Sequence, residues 1–172
     1  GSKRPTWRGI GLALAHHGAG FTGSGELYLA SRAAVALTRD GELHVLSGST
    51  EFGQGTTTLF GQIVAETLGV PFELVTVDTP DTARVPNSGP TVASRTCMVV
   101  GKLVETAALG LVAELKKVGF GDRPRGEAEF RRACADYTAK LGPLRASARY
   151  QAPPGLRWDD ATYQGDAYGT YA

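Results

Sequence analysis

The stretch "AAVALTRDGELHVLSG", residues 33–48, decides the fold, because its reading fixes what the glycines before it can do. Two short apolar segments flank Asp40-Gly41, a dipeptide suited to a type I′ hairpin turn whose central residues both need positive φ. The pattern predicts strands over 32–38 and 42–48, paired as a hairpin. Just upstream, "GAGFTG" sets Gly18, Gly20 and Gly23 in a G-x-G-x-x-G pattern, with Glu42 about where a ribose-binding acid would stand. That fingerprint binds a dinucleotide only when its third glycine opens a helix whose N-terminus receives the pyrophosphate. A hairpin here removes that helix. A dinucleotide-binding module through Gly18, Gly20 and Gly23 is therefore the alternative reading, and a flexible glycine connection the main one.

Working outward, the apolar run "GIGLALAHH" (9–17) reads as a short buried strand on which His16 and His17 would face opposite sides. Downstream, Leu59, Phe60, Ile63, Val64 and Leu68 recur at helical spacing, and Gly69 with Pro71 supplies the stop, so residues 57–68 are predicted helix. "FELVTVD" (72–78) alternates as a strand does, and "TPDTARVPNSGP" (79–90) is a long connection of turn residues. Proline is missing from 93–118, where Val100, Val104, Ala107, Ala108, Leu111 and Leu115 trace one apolar face. About 24 residues at 1.5 Å each give a helix of roughly 36 Å. A helix over 126–139 and a strand over 144–150 follow. In the aromatic tail, Trp158, Tyr163, Tyr168 and Tyr171 are expected to cover apolar surface. The fold class is thus α+β, a mixed set of strands near 9, 32, 42, 72 and 144 packed on a long helix.

Composition narrows the function classes. With 172 residues, 42% of them hydrophobic, the chain can bury a core without disulfides or a structural metal. Cys97 and Cys134 stand far apart and form no metal-binding spacing, which suits reduced thiols and a cytoplasmic location. The formal net charge is +1, near balance; within 114–149, nine basic residues are interspersed with five acidic ones, as on a solvated helix surface rather than a nucleic-acid footprint. No apolar stretch is read as a membrane span, and Gly1-Ser2 looks like a cloning scar.

Two helix starts carry candidate chemistry. One is Glu51-Phe52-Gly53-Gln54-Gly55 before the helix at 57; the other is Gly89-Pro90-Thr91-Val92-Ala93-Ser94-Arg95-Thr96 before the long helix. The first amides of a helix lack internal partners, and the macrodipole adds partial positive charge there, so both starts read as anion sites. Gly53 and Gly55 leave the backbone bare, and Gln54 offers a donor and an acceptor to a heterocycle edge. Ser94 and Thr96 add hydroxyls, and Arg95 adds a positive fork. Glu51 fits as a first-turn acid. Plain helix capping by Thr56, Thr57 and Ser94 accounts for the hydroxyls but not for glycines on both sides of Gln54.

The strings "GSTEFGQGTTTLFGQIVAETLGVP" (48–71), "VDTPDTARVPNSGPTVASRT" (77–96), "MVVG" (98–101) and "TYQGDAYGTYA" (162–172) resemble the molybdenum hydroxylase family of xanthine dehydrogenases and aldehyde oxidases. The resemblance lies in the molybdopterin-binding large subunit, in its second cofactor-binding domain, and makes 3–172 a single domain fragment. It implies a pterin dithiolene holding molybdenum, with a phosphate tail or a dinucleotide tail such as the cytosine form. Phe52, Gly53, Gln54, Gly55, Ala93, Ser94 and Thr96 would be the cofactor-binding residues, with the role of Arg95 open. The implied activity is an oxidoreductase that hydroxylates aldehydes or N-heterocycles with oxygen from water. The family's base falls beyond this chain, so no residue is assigned a catalytic or metal-ligating role. Implied partners are the other molybdopterin-binding domain, iron–sulfur and flavin (FAD) subunits or domains, and a small-molecule substrate, with no nucleic acid and no membrane span. Alone, the chain is expected to be inactive. A scaffold domain that has lost its ligand is the remaining alternative.

Overall fold

The computed structural model describes residues 6–14, 21, 23–121 and 126–166. Its elements run α1 (Gly25–Leu29), β1 (Arg32–Leu37), β2 (Leu43–Leu46), α2 (Thr56–Leu68), β3 (Val75–Val77), α3 (Gly101–Leu115), α4 (Glu127–Leu141), β4 (Leu144–Arg149), β5 (Trp158–Asp159) and β6 (Gln164–Gly165). The main sheet has the order β3-β2-β1-β4. The β2–β3 pair is parallel and the β1–β2 and β1–β4 pairs are antiparallel, so the sheet is mixed as expected.

The hairpin forms, with Val35 opposite Val45 and Leu37 opposite Leu43. Its turn differs from the expected type. Thr38 and Glu42 close the loop through Thr38 N to Glu42 O at 2.9 Å, leaving Arg39-Asp40-Gly41 as the connection. Among these only Gly41 has positive φ, at 85°. A type I turn followed by one left-handed residue spans this loop, and glycine belongs at that last position rather than at the centre of a type I′ turn.

Period-two alternation sends Ala33, Val35, Leu37, Leu43, Val45 and Ala148 to one face of the sheet, where α2 and α3 cover them. Val100, Val104, Ala107, Ala108, Leu111 and Leu115 all point into that core, as their spacing predicts. Each large apolar side chain so buried contributes about 1.5–3 kcal/mol. The close fit of α2 against the segment after it depends on Gly61: a Cβ there would stand 2.5 Å from the Phe72 ring. At the end of α2, Gly69 at φ 66° lets Val70 N reach Ala65 O at 3.0 Å, a left-handed cap that satisfies carbonyls of the last turn.

Several expectations need correction. Residues 72–78 are not strand throughout; Phe72–Leu74 make a 3₁₀ turn, with Leu74 N bonded to Pro71 O, before β3 begins. The described part of the 9–17 run, residues 9–14, forms no strand, and Ile10, Leu12 and Leu14 are exposed. An apolar run becomes a buried strand only when another strand and a layer cover it, and none of the described residues does so here. His16, His17, Gly18, Gly20, Tyr168 and Tyr171 lie outside the described residues. The tail, where no strand is predicted, carries the small β5–β6 ladder, on which Trp158 and Tyr163 pack edge to face at 5.0 Å. Trp158 also lies against Gly23, although Tyr163 stays largely exposed. By length and composition alone the helical stretch Thr96–Val118 could cross a membrane, but half of its most apolar window is buried inside the fold.

Candidate functional site

The two helix starts meet. The chain leaves β2 through Ser47 to Thr50, and the second loop runs alongside it, joined by side chain–backbone bonds. Gly48 N donates to Ser88 Oγ at 2.9 Å, Thr50 N donates to Thr91 Oγ1 at 2.9 Å, and Ser88 Oγ donates onward to Arg32 O at 2.7 Å. Small hydroxyl residues at these positions serve because they satisfy backbone groups of a neighbouring segment that sheet pairing leaves open. Residues some forty positions apart thereby form the two lips of one cleft.

That cleft holds about 500 Å³ and brings together Phe52, Gln54, Gly55, Ala93, Ser94 and Thr96. Of the residues singled out from the sequence, Gly53 lies in the first lip but not on the lining. Leu59 and Cys97 line it too; neither was expected among the binding residues, although each lies one helical turn or less beyond its lip. Among the described residues, no charged side chain lines the cleft. Phe52 is 71% exposed, an apolar surface at the mouth that the described residues leave uncovered.

The first lip is held by its own side chains. Glu51 Oε1 accepts from Gly53 N at 2.7 Å and Gly55 N at 3.1 Å, and Glu51 Oε2 accepts from Thr57 N at 2.9 Å. Those amides, of Thr57 first and then of Gly55 and Gly53, pull the Glu51 carboxyl down to about 2. Gln54 closes the loop from inside: Nε2 donates to Thr50 O and Thr56 Oγ1, both at 2.7 Å, and Oε1 accepts from Phe52 N at 2.8 Å. Both amide hydrogens of Gln54 are thus engaged, and what it presents outward is an acceptor, not the donor–acceptor pair its chemistry suggested. Gly53 (φ 109°) and Gly55 (φ 89°) take conformations that L side chains rarely adopt, and a Cβ on either would meet nothing within 4 Å.

The second lip is set by Arg95, which points away from the cleft. It is fully buried, as is Glu26 on α1. Its Nε and Nη2 donate to the two Glu26 carboxylate oxygens at 2.8 Å each, Nη1 donates to Ser88 O and Pro90 O, and Nη2 also donates to Ser31 Oγ. Every N–H of the guanidinium has a partner inside the protein, so it offers no positive fork to a ligand. What it does is pin the loop from Ser88 to Pro90 and the start of the long helix to α1 and β1. Next to it, Ala93 (φ 54°) and Ser94 (φ 51°) both sit in the left-handed region. Non-glycine residues held there cost about 1–3 kcal/mol each and persist where their surroundings over-determine them, frequently at ligand sites. The helix then opens with a π turn over Thr96–Val100, a feature that also recurs at functional sites.

The two cysteines differ sharply. Burial pushes the Cys134 thiol up to about 12, whereas Cys97 is exposed at the cleft. Among the described residues no group of three or more His, Cys, Asp or Glu could hold a metal ion. The short α1 is followed at once by β1, so the helix that a dinucleotide fingerprint needs is replaced by a five-residue turn of helix and a strand.

The chain belongs to the Molybdopterin cofactor-binding domain family, which it matches over residues 2–172. It is 36% identical over 110 residues to a probable xanthine dehydrogenase subunit of Bacillus subtilis, covering 64% of this chain and 14% of that protein. Xanthine dehydrogenase 1 of Arabidopsis thaliana is 26% identical over 165 residues, covering 96% of this chain and 12% of the relative. Among solved structures, the aldehyde oxidoreductase of Desulfovibrio desulfuricans superposes with a TM-score of 0.69 at 27% identity, over 91% of this chain and 16% of that one. The chain therefore spans about a seventh of the length of such relatives.

Proposed function

We propose that the cleft between the two lips is where this chain holds a molybdenum–molybdopterin cofactor, as one part of an oxidoreductase of the xanthine dehydrogenase and aldehyde oxidoreductase type. One observation carries the reading: segments 52–55 and 93–96, distant in sequence, converge on a cleft of about 500 Å³ lined by uncharged groups. That volume lies within the range of ligand sites, and an apolar surface with a few convergent polar groups is their usual lining. Phe52 would lie against the flat face of the pterin. The Gln54 carbonyl and the backbone beside Gly55 would meet its polar edge. Ser94 and Thr96, with the amides at the start of the long helix, would hold the anionic tail, whether phosphate or dinucleotide, without a cationic side chain. Bound there, the cofactor supplies the two-electron redox chemistry that hydroxylates an aldehyde or N-heterocycle. The chain's own part is to bind, orient and shield it. No residue here is given a proton-transfer role.

The exposed lip, with Phe52 uncovered, fits a site completed by a second molybdopterin-binding domain, and electron transfer would run to iron–sulfur and flavin partners. The 172-residue chain alone is accordingly expected to carry substoichiometric molybdenum and to show no hydroxylase activity. The test is cofactor retention in the assembled enzyme, read as pterin fluorescence after acid release. Ser94→Ala with Thr96→Ala should lower pterin content severalfold while circular dichroism stays unchanged. Unchanged pterin content in that variant would overturn the reading.

A further inference from the structure

The start of α2 is an anion site that already has its anion. Glu51 Oε1 and Oε2 accept from the amides of Gly53, Gly55 and Thr57, which converge because Gly53 and Gly55 are turned to positive φ. Successive amides presented in this way form a concave nest suited to a carboxylate or a phosphate oxygen. We propose that Glu51 is the built-in anion of this nest, fixing the Gly-Gln-Gly lip in its binding shape before any ligand arrives and barring a ligand's phosphate from that lip. The inference rests on the cleft being a cofactor site only for its second half; the first half concerns this chain alone.

The geometry supports both halves. Glu51 is a solvent-exposed side chain, yet it bridges from the chain before the first glycine to Thr57 inside the first turn of α2. With Glu51 in place, Phe52 N is turned to Gln54 Oε1, and the Gln54 amide is turned back to Thr50 O and Thr56 Oγ1. The lip is thereby closed on itself with no free amide among Phe52, Gly53, Gly55 and Thr57. A phosphate approaching it would meet a carboxylate where these four amides are already taken, and like charge at contact distance is repulsive. The second lip has no such internal carboxylate on the cleft, which leaves the anionic part of a ligand to Ser94, Thr96 and the helix start beyond them. Glu51 is in this sense a positioning residue: it acts on the ligand through the shape of the lip.

Amide exchange in the isotope-labelled chain tests this without cofactor. In Glu51→Ala the amides of Gly53, Gly55 and Thr57 should exchange about 10-fold to 100-fold faster, the loss expected for a charge-assisted hydrogen bond. Added formate, a free carboxylate, should return much of the protection in Glu51→Ala and change nothing in the wild type. Inorganic phosphate should leave those three amide signals unshifted in the wild type. Unchanged exchange in Glu51→Ala, failure of formate to restore it, or phosphate shifts at these amides in the wild type would each overturn the proposal. Should Glu51→Ala not fold, the wild-type phosphate titration and the milder Glu51→Gln, expected to fall between the two, still decide it. Because no arm uses the cofactor, a negative result leaves the cleft reading intact, and loss of pterin retention in the Ser94 and Thr96 variants is judged separately.

Discussion

Glu26 and Arg95 are the pair whose removal should be felt most. Arg95 is 0% and Glu26 1% exposed, and the guanidinium also supports Ser88 O, Pro90 O and Ser31 Oγ. Arg95→Met leaves a carboxylate buried without its partner, a loss that typically costs about 3–5 kcal/mol. Domains of this size are stable by roughly 5–15 kcal/mol, so one substitution would remove a large share of the total. With an m value of about 2 kcal/mol/M, a loss of about 4 kcal/mol lowers the urea midpoint by roughly 2 M. Glu26→Leu should do about the same, because it leaves the guanidinium buried and unpaired. The double variant Glu26→Leu/Arg95→Met should recover to within about 1–2 kcal/mol of the parent, since replacing both charges by apolar groups removes the desolvation penalty with the attraction. The assay is urea unfolding by far-ultraviolet circular dichroism across all four proteins. A midpoint drop below about 0.5 M for Arg95→Met, or a double variant less stable than either single one, would refute the role assigned to this pair.

Other expectations follow from the same contacts. The Glu51 carboxyl is held down to about 2 from a model-peptide value of 4.5, so its stabilising contribution is full above pH 4.5 and is lost as pH falls toward 2. The stability difference between the parent and Glu51→Gln should therefore be constant above about pH 5 and shrink below it, as read by unfolding at a series of pH values. Ala93→Gly should stabilise the fold by about 0.5–1 kcal/mol, because glycine relieves the left-handed backbone at φ 54°; a thermal scan checks the sign. Cys97 should react with iodoacetamide while Cys134, buried and with its thiol raised to about 12, should not; mass spectrometry of the labelled peptides separates them. In assembled enzyme, cofactor in the cleft should slow labelling of Cys97.

Much of this architecture is written in local pattern. The apolar face of α3 and the β1–β2 hairpin were legible because a helix and a strand each impose a period on burial, and long or well-bounded periods leave little choice. The 3₁₀ turn at Phe72–Leu74 was not, because over a few residues an alternating string satisfies a turn as readily as a strand, and Pro71 with its carbonyl bonded to Leu74 N decided the matter. Glycines around Gln54 and hydroxyls after Pro90 announced a bare, polar lip. What they could not announce was direction. Arg95 is drawn inward by Glu26, 69 positions away, a partner that no window around Arg95 contains. Gln54 and Glu51 likewise turn back onto their own loop, so the residue types that advertised binding also build the wall of the cleft. The 9–14 run shows the converse, an apolar alternation that the described residues leave exposed.

A structure of the assembled enzyme with its cofactor bound puts the cleft itself to the test. The pterin should lie against Phe52, with its anionic tail within hydrogen-bonding distance of Ser94, Thr96 and the helix start behind them, and Glu51 should still sit on the amides of Gly53, Gly55 and Thr57. Cofactor bound away from this cleft, or reaching only one of its lips, would contradict it.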